Sequence, residues 1–191
     1  MRKTILLMGM SLDGFGVPQG WLPTASNADQ GKEHVEDMWE QLKSIDTFLL
    51  GRVTYQLWKR HWPPQATNPS SSQFAKDFSR FVEEVKKVVF SKTLKSVSWK
   101  NSVLVMGNIP KEIAQLKQLP GKDMAIVGGP KLANSLGELG LIDDYQIWMH
   151  PVVLGKGTPL IGARKSRDQT MLETKTFESG GIRLHFRPTE K

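Results

Sequence analysis

The residues of this chain best placed for chemistry are glycines followed by cations and hydroxyls. In Ala125-Ile-Val-Gly-Gly-Pro-Lys-Leu132 an apolar run stops at Gly128 and Gly129, which can take φ > 0 and bare their N–H groups. Pro130 then suits a first helical position ahead of Lys131 and Leu132. A strand, a glycine turn and a helix N-terminus make an anion-binding geometry, because unpaired amides and the helix dipole both face the turn; the ligand it suggests is a phosphate. Alone, the same dipeptide serves any tight strand-to-helix connection. The arrangement recurs at Gly51-Arg-Val-Thr54, where Arg52 offers a planar fork matched to phosphate oxygens, Val53 opens a helix and Thr54 brings a hydroxyl near its first amides. Ser91 and Lys92 form a third polar strand end, placed to reach the same ligand. In Ser11-Leu-Asp-Gly14, Asp13 reads either as turn chemistry or as a carboxylate held at the end of a central strand, where open α/β sheets place their ligands.

The elements that must position these groups follow from periodicity. Thr4 to Met10, Thr47 to Gly51, Lys87 to Leu94, Ser102 to Met106 and Ala125 to Val127 are short apolar runs that read as buried strands. Between them, His34, Val35, Met38, Trp39 and Leu42 give one helical face, whose other side carries Glu33, Glu36, Asp37 and Glu40 as a solvated edge. Phe74, Phe78, Phe81 and Val82 predict a short amphipathic helix, Ile109 to Leu119 another, and Leu132, Leu136 and Leu139 a third that ends at Gly140. Trp58 to Gln73, with Pro63-Pro64, Pro69 and a serine triplet, reads as a surface loop. Phe15 to Asp29, irregular yet carrying Trp21 and Leu22, reads as a lid. Gln146 to Leu154 predicts a late strand, and Met171 to Phe177 with Gly181 to Phe186 a closing hairpin. Strand and helix alternate and strands finish the chain, which predicts a three-layer α/β/α fold on a mainly parallel sheet with antiparallel C-terminal strands.

Composition excludes several classes. The 191 residues suit one domain with its own core, and the absence of cysteine excludes disulfides and thiolate-bound metal. The four histidines, His34, His61, His150 and His185, show no i, i+4 pair, so no metal site is expected. No run reaches the roughly 20 apolar residues of a membrane span, and the start lacks a signal-peptide pattern, so a cytoplasmic protein with no membrane partner is expected. The formal net charge of +7 would suit nucleic acid, but its Lys and Arg are dispersed instead of forming a basic arm, so nucleic acid is not expected and a phosphorylated small molecule is.

Ser11-Leu-Asp-Gly14, Leu49-Leu-Gly-Arg-Val-Thr-Tyr55, Val89-Phe-Ser-Lys-Thr93, Val127-Gly-Gly-Pro-Lys-Leu132, Leu141-Ile-Asp-Asp144 and Pro151-Val-Val-Leu-Gly-Lys-Gly-Thr-Pro159, taken in order, resemble the dihydrofolate reductase-like superfamily. Within it they are most similar to the branch of the C-terminal reductase domain of bacterial riboflavin biosynthesis. The resemblance spans about Arg2 to Phe186 and implies an NADPH-dependent reductase whose cofactor crosses the carboxyl ends of the strands. It implies that Gly128, Gly129, Pro130 and Lys131 cradle the pyrophosphate with Leu132 packing nearby. Gly51, Arg52, Val53 and Thr54 would approach phosphates and ribose, and Ser91 and Lys92 the adenosine 2′-phosphate. Ser11 and Asp13 would line the substrate pocket, with Asp13 as the candidate for orienting substrate or relaying a proton, and Trp21 and Leu22 would close over it. Folate reductases carry an acid at the start of the first helix. Here the spacing lands on Val35, with Glu36 and Asp37 beside it, so the substrate, pterin-like or ribityl-aminopyrimidine-like, stays open. A non-catalytic NADP(H)-binding module is the alternative. A homodimer is expected from the resemblance and from the apolar surface that Trp148, Met149 and Val152 would otherwise expose.

Overall fold

The computed structural model describes residues 1–17, 32–162 and 167–189. Its strands are β1 (Thr4–Ser11), β2 (Ile45–Gly51), β3 (Lys86–Phe90), β4 (Ser102–Val105), β5 (Asp123–Ile126), β6 (Asp144–His150), β7 (Gln169–Thr176) and β8 (Ile182–Pro188). Its helices are α1 (Lys32–Lys43), α2 (Arg52–Gln65), α3 (Gln73–Glu84), α4 (Ile109–Gln118) and α5 (Pro130–Glu138). The strands form one sheet in the order β4-β3-β2-β5-β1-β6-β8-β7. Pairings from β4 through β6 are parallel, and β8 joins β6 and β7 antiparallel. The expected mainly parallel sheet with antiparallel C-terminal strands is therefore what the chain forms.

Alternation along the central strands divides the core in two. Ile5, Leu7, Phe48 and Leu50 face α1, α2 and α3, meeting Met38, Trp58 and Phe78. Leu6, Met8 and Leu49 face α4 and α5, meeting Ile113, Leu132 and Leu136. Phe48, Leu49 and Leu50 are fully buried, each contributing about 1.5–3 kcal/mol of apolar burial. Near-continuous apolar strands are what a sheet covered on both faces requires.

The Trp58 to Gln73 segment departs from the expected loop, because α2 continues through Pro63 and Pro64 to Gln65. Proline removes intrahelical bonds there, but only in the final turns. Packing compensates: Trp58 and Trp62 are both buried, and Trp62 lies 4.6 Å from Phe78 between ring centroids. Ser79 of α3 donates its hydroxyl to the Trp62 carbonyl at 2.7 Å. Aromatic burial against α3 thus overrides the local proline signal.

Candidate active site

Parallel strands bring all their strand-to-helix junctions to one edge. β2 and β5 are neighbours, yet α2 packs on one face of the sheet and α5 on the other. Helices that diverge from adjacent parallel strands open a crevice at the carboxyl ends, the position where open α/β sheets bind ligands. Gly51 and the Gly128-Gly129 pair sit at that crevice.

The two helix starts meet through one side chain. Gly128 has φ +90°, and a Cβ built on it would lie 2.2 Å from Thr54 Cγ2. Gly129 has φ −107° and needs no left-handed backbone, but its Cβ would lie 3.1 Å from Thr54 Oγ1. Close approach is the reason for these glycines, and buried Thr54 is the group approached. Helices α3 and α4 are capped by Ser72 and Asn108 side chains, which accept from Ala75 N and Lys111 N. By contrast, α2 and α5 begin at Gly51 and Gly129 with no side-chain cap and no acid in the first turn. No side chain closes either start, although at α5 Gly129 N donates to the Val127 carbonyl at 3.3 Å and Leu132 N to the Gly129 carbonyl at 3.2 Å.

Gly51, Ser91, Lys92, Lys131 and Leu132 line one cleft of about 250 Å³. Met106, Gly107 and Ser135 line it too. Sequence reasoning did not assign these three, although Met106-Gly107-Asn108 repeats the strand, glycine, capped-helix signature. Arg52 and Val53 are exposed on the first turn of α2, and Arg52 donates to Gln56 Oε1 at 3.2 Å. Ser91 Oγ accepts from Thr93 N and Leu94 N at 3.1 and 3.0 Å, and so shapes its turn as well as facing the cleft. Pro130 packs against Gly16, which links this turn to the end of β1.

Asp13 lies apart from that cleft. Its carboxylate accepts from Ser11 Oγ at 2.6 Å, Leu154 N at 3.1 Å and Gly155 N at 2.7 Å. The Ser11 hydroxyl first, then those amides, hold the acid below the ordinary carboxylate range. Ser11 itself is buried and ties its hydroxyl to Phe15 as well. Both residues therefore knit the end of β1 to the loop after β6. Trp21 and Leu22 lie outside the described residues.

A second cavity, of about 80 Å³, opens beside Gly128 and runs inward between the sheet and α1, α2 and α3. Its wall is apolar, with Met38, Phe48 and Phe78, and its polar members are His34, Trp58 and His150 together with the indole of Trp148. The His34 and His150 rings are 5.6 Å apart. Burial pushes both imidazoles below their ordinary range, His150 to about 4. Asp37, expected on a solvated edge, is instead buried. It accepts from Trp148 Nε1 at 3.1 Å and pairs with Lys175 at 3.1 Å and Arg183 at 3.0 Å. The cause is tertiary: Arg183, on β8, is itself buried and brings its charge to α1. Trp148 is likewise covered, so the late apolar surface lies elsewhere, at exposed Ile161, Met171 and Leu172.

Known proteins share this architecture. The family model of the RibD C-terminal domain matches residues 2–186. The uncharacterised protein YyaP of Bacillus subtilis (strain 168) is 32% identical over 188 residues, covering 96% of this chain and 93% of its own. A diaminohydroxyphosphoribosylaminopyrimidine deaminase/5-amino-6-(5-phosphoribosylamino)uracil reductase of Thermotoga maritima superposes with a TM-score of 0.65 at 14% identity. That match covers 98% of this chain and 57% of the other. Dihydrofolate reductase from Enterococcus faecalis, solved with NADP(H) and RAB-propyl, gives 0.63 at 12% identity, covering 98% and 97%. The fold is the dihydrofolate reductase-like one.

Proposed function

The chain belongs to the RibD C-terminal domain family, and from that premise we propose that it is an NADPH-dependent reductase acting on a small heterocycle. The observation that carries the reading is the pair of uncapped helix starts at Gly51 and Gly129, joined through Thr54 at the carboxyl edge of the sheet. Two helix N-termini brought together at one edge of the sheet, with Arg52 and Lys131 on their first turns, fit a pyrophosphate. In this reading Gly128, Gly129, Pro130 and Lys131 hold the pyrophosphate and Leu132 packs beneath it. Gly51, Arg52, Val53 and Thr54 approach phosphate and ribose. Ser91 and Lys92 take the 2′-phosphate, where the cation distinguishes NADPH from NADH. When bound, the nicotinamide supplies the hydride.

The rest of the chain orients and encloses. The cavity beside Gly128 receives the substrate ring, and its apolar wall excludes water from it. Asp13, its carboxylate engaged by Ser11, Leu154 and Gly155, holds the loop after β6 to the end of β1 and acts in this reading as a positioning residue. A non-catalytic NADP(H)-binding module is favoured over a reductase by one observation, the commitment of Asp37 to Arg183 and Lys175. A turnover screen separates the two. NADPH oxidation that depends on an added pterin, dihydrofolate or aminopyrimidine supports the reductase, and none across the panel supports the module.

We further propose a homodimer closing over the groove of about 600 Å³ between α5 and β8, whose rim carries Ile161, Leu184 and Phe186. Uncovered, that surface would be a large apolar patch.

A further inference from the structure

Between the parallel strands β1 to β6, every connection but one runs through a helix. The exception joins β3 to β4, which are parallel neighbours, so residues 91–101 must carry the chain from the carboxyl edge of the sheet back to its amino edge. A helical crossover satisfies its own backbone, whereas this one contains no helix and must find partners for its amides elsewhere.

Helix α2 supplies them. Tyr55, one turn beyond Arg52, is buried, and its hydroxyl oxygen accepts from Ser98 N at 3.0 Å and from Trp99 N at 3.1 Å. Lys59, a turn further on, donates to Ser98 Oγ at 2.6 Å. Leu94 and Val97, nearer the start of the crossover, pack against the core. At that start Ser91 Oγ gathers Thr93 N and Leu94 N, and Ser91 and Lys92 line the cleft. Trp99 is buried, so without the phenol oxygen its amide would be a donor left unpaired away from water, a costly state that the crossover relieves only by moving.

α2 thus bears, one turn apart, Arg52 at the cofactor cleft and the anchor of the segment that carries Lys92. NADPH and NADH differ only in the 2′-phosphate. A group that acts by placing Ser91 and Lys92 therefore changes the affinity of one and not of the other. We propose that Tyr55 is a positioning residue for cofactor specificity, its hydroxyl fixing the helix-free crossover through Ser98 and Trp99 and so holding Ser91 and Lys92 where they discriminate a 2′-phosphate. The inference deepens the cofactor reading given above and rests on it.

The test is equilibrium binding of NADPH and NADH at fixed ionic strength, with hydrogen exchange as a separate readout of the anchor. Tyr55→Phe keeps the ring beside Trp99, at 6.2 Å between centroids, and removes the acceptor. It is expected to speed exchange at the Ser98 and Trp99 amides and to lower NADPH affinity about tenfold, the order of one charge-assisted hydrogen bond, with NADH affinity within about twofold of wild type. In a Lys92→Ala background it should cost under about twofold more, because a residue acting through Lys92 has nothing left to place. Ser98→Ala, which removes the Lys59 tie and leaves Tyr55 intact, should lower the NADPH preference about threefold and serves if Tyr55→Phe fails to fold. Equal losses for the two nucleotides, an unchanged preference, or full additivity with Lys92→Ala overturns the inference. A wild type that binds NADPH no better than NADH removes the cofactor reading and the specificity role with it. Unchanged exchange at Ser98 and Trp99 in Tyr55→Phe instead overturns the anchor while leaving NADPH binding in place.

Discussion

Replacing Gly128 by alanine tests the turn on which the cofactor reading depends. Two costs combine. At φ +90° a side chain is held in the left-handed region, at roughly 1–2 kcal/mol. The new Cβ would also fall 2.2 Å from Thr54 Cγ2 and 2.9 Å from Thr54 Oγ1, an overpacking that costs roughly 1–3 kcal/mol as the turn shifts. The sum, about 2–5 kcal/mol, corresponds to a fall in Tm of roughly 5–15 °C for a chain of this length. The assay is thermal or urea unfolding of Gly128→Ala, Thr54→Ala and the double variant. With Thr54 truncated, the nearest remaining atom is its Cβ at 3.1 Å, so the Gly128→Ala penalty should shrink toward the backbone share of about 1–2 kcal/mol. NADPH affinity should fall at least tenfold in Gly128→Ala well below its melting point. An equal penalty in both backgrounds would refute the contact as the cause, and no penalty in either would refute the description of the turn.

Asp37→Asn should destabilise the protein by about 3–5 kcal/mol, because buried Arg183 loses its buried carboxylate partner; urea unfolding reads this, and a loss below 1 kcal/mol would show the pair to be unimportant. His150, with its pKa lowered from 6.5 to about 4 by burial and by His34, binds its proton more readily unfolded than folded. Its contribution therefore rises with pH through that window and falls as pH drops from 6.5 toward 4, by roughly 3 kcal/mol in all; His150→Gln should flatten the stability profile there, and an unchanged slope would contradict it. Asp13→Ala should speed hydrogen exchange at the Leu154 and Gly155 amides while leaving β1 amides protected; unchanged exchange would mean the loop is held by other bonds. Leu184→Glu should shift a sedimenting dimer to the monomer, and a wild-type monomer at micromolar concentration would remove the dimer proposal.

The sequence makes legible what is local. Short apolar runs ending in glycine give the parallel strands and their junctions, and the Gly51 and Gly128-Gly129 turns do lie on adjacent strands. What escapes it is set by distant partners. The helix through Pro63 and Pro64 depends on Trp62 meeting Phe78 and Ser79 of α3, which outweighs a strong local breaker. Asp37 reads as part of an acidic edge until Arg183 arrives from the far end of the chain. His34 and His150 line one cavity with their rings 5.6 Å apart, yet no spacing in sequence relates them. Trp148 reads from the sequence as apolar surface for a partner, but it is buried and packs on His34 at 5.9 Å between ring centroids. Asp13 admits both a turn role and a pocket role from its Ser-Leu-Asp-Gly setting, and the sequence does not show that its carboxylate accepts from Leu154 N and Gly155 N of the distant loop after β6.

The central claim, that the crevice between α2 and α5 holds a dinucleotide with a 2′-phosphate, is tested most directly by equilibrium binding of NADPH against NADH, read by quenching of tryptophan fluorescence. NADPH should bind at least tenfold more tightly than NADH, with the preference abolished in Lys92→Ala and both affinities reduced in Arg52→Ala. Absence of binding by either nucleotide would contradict the account, leaving Gly128 and Gly129 as packing against Thr54 alone.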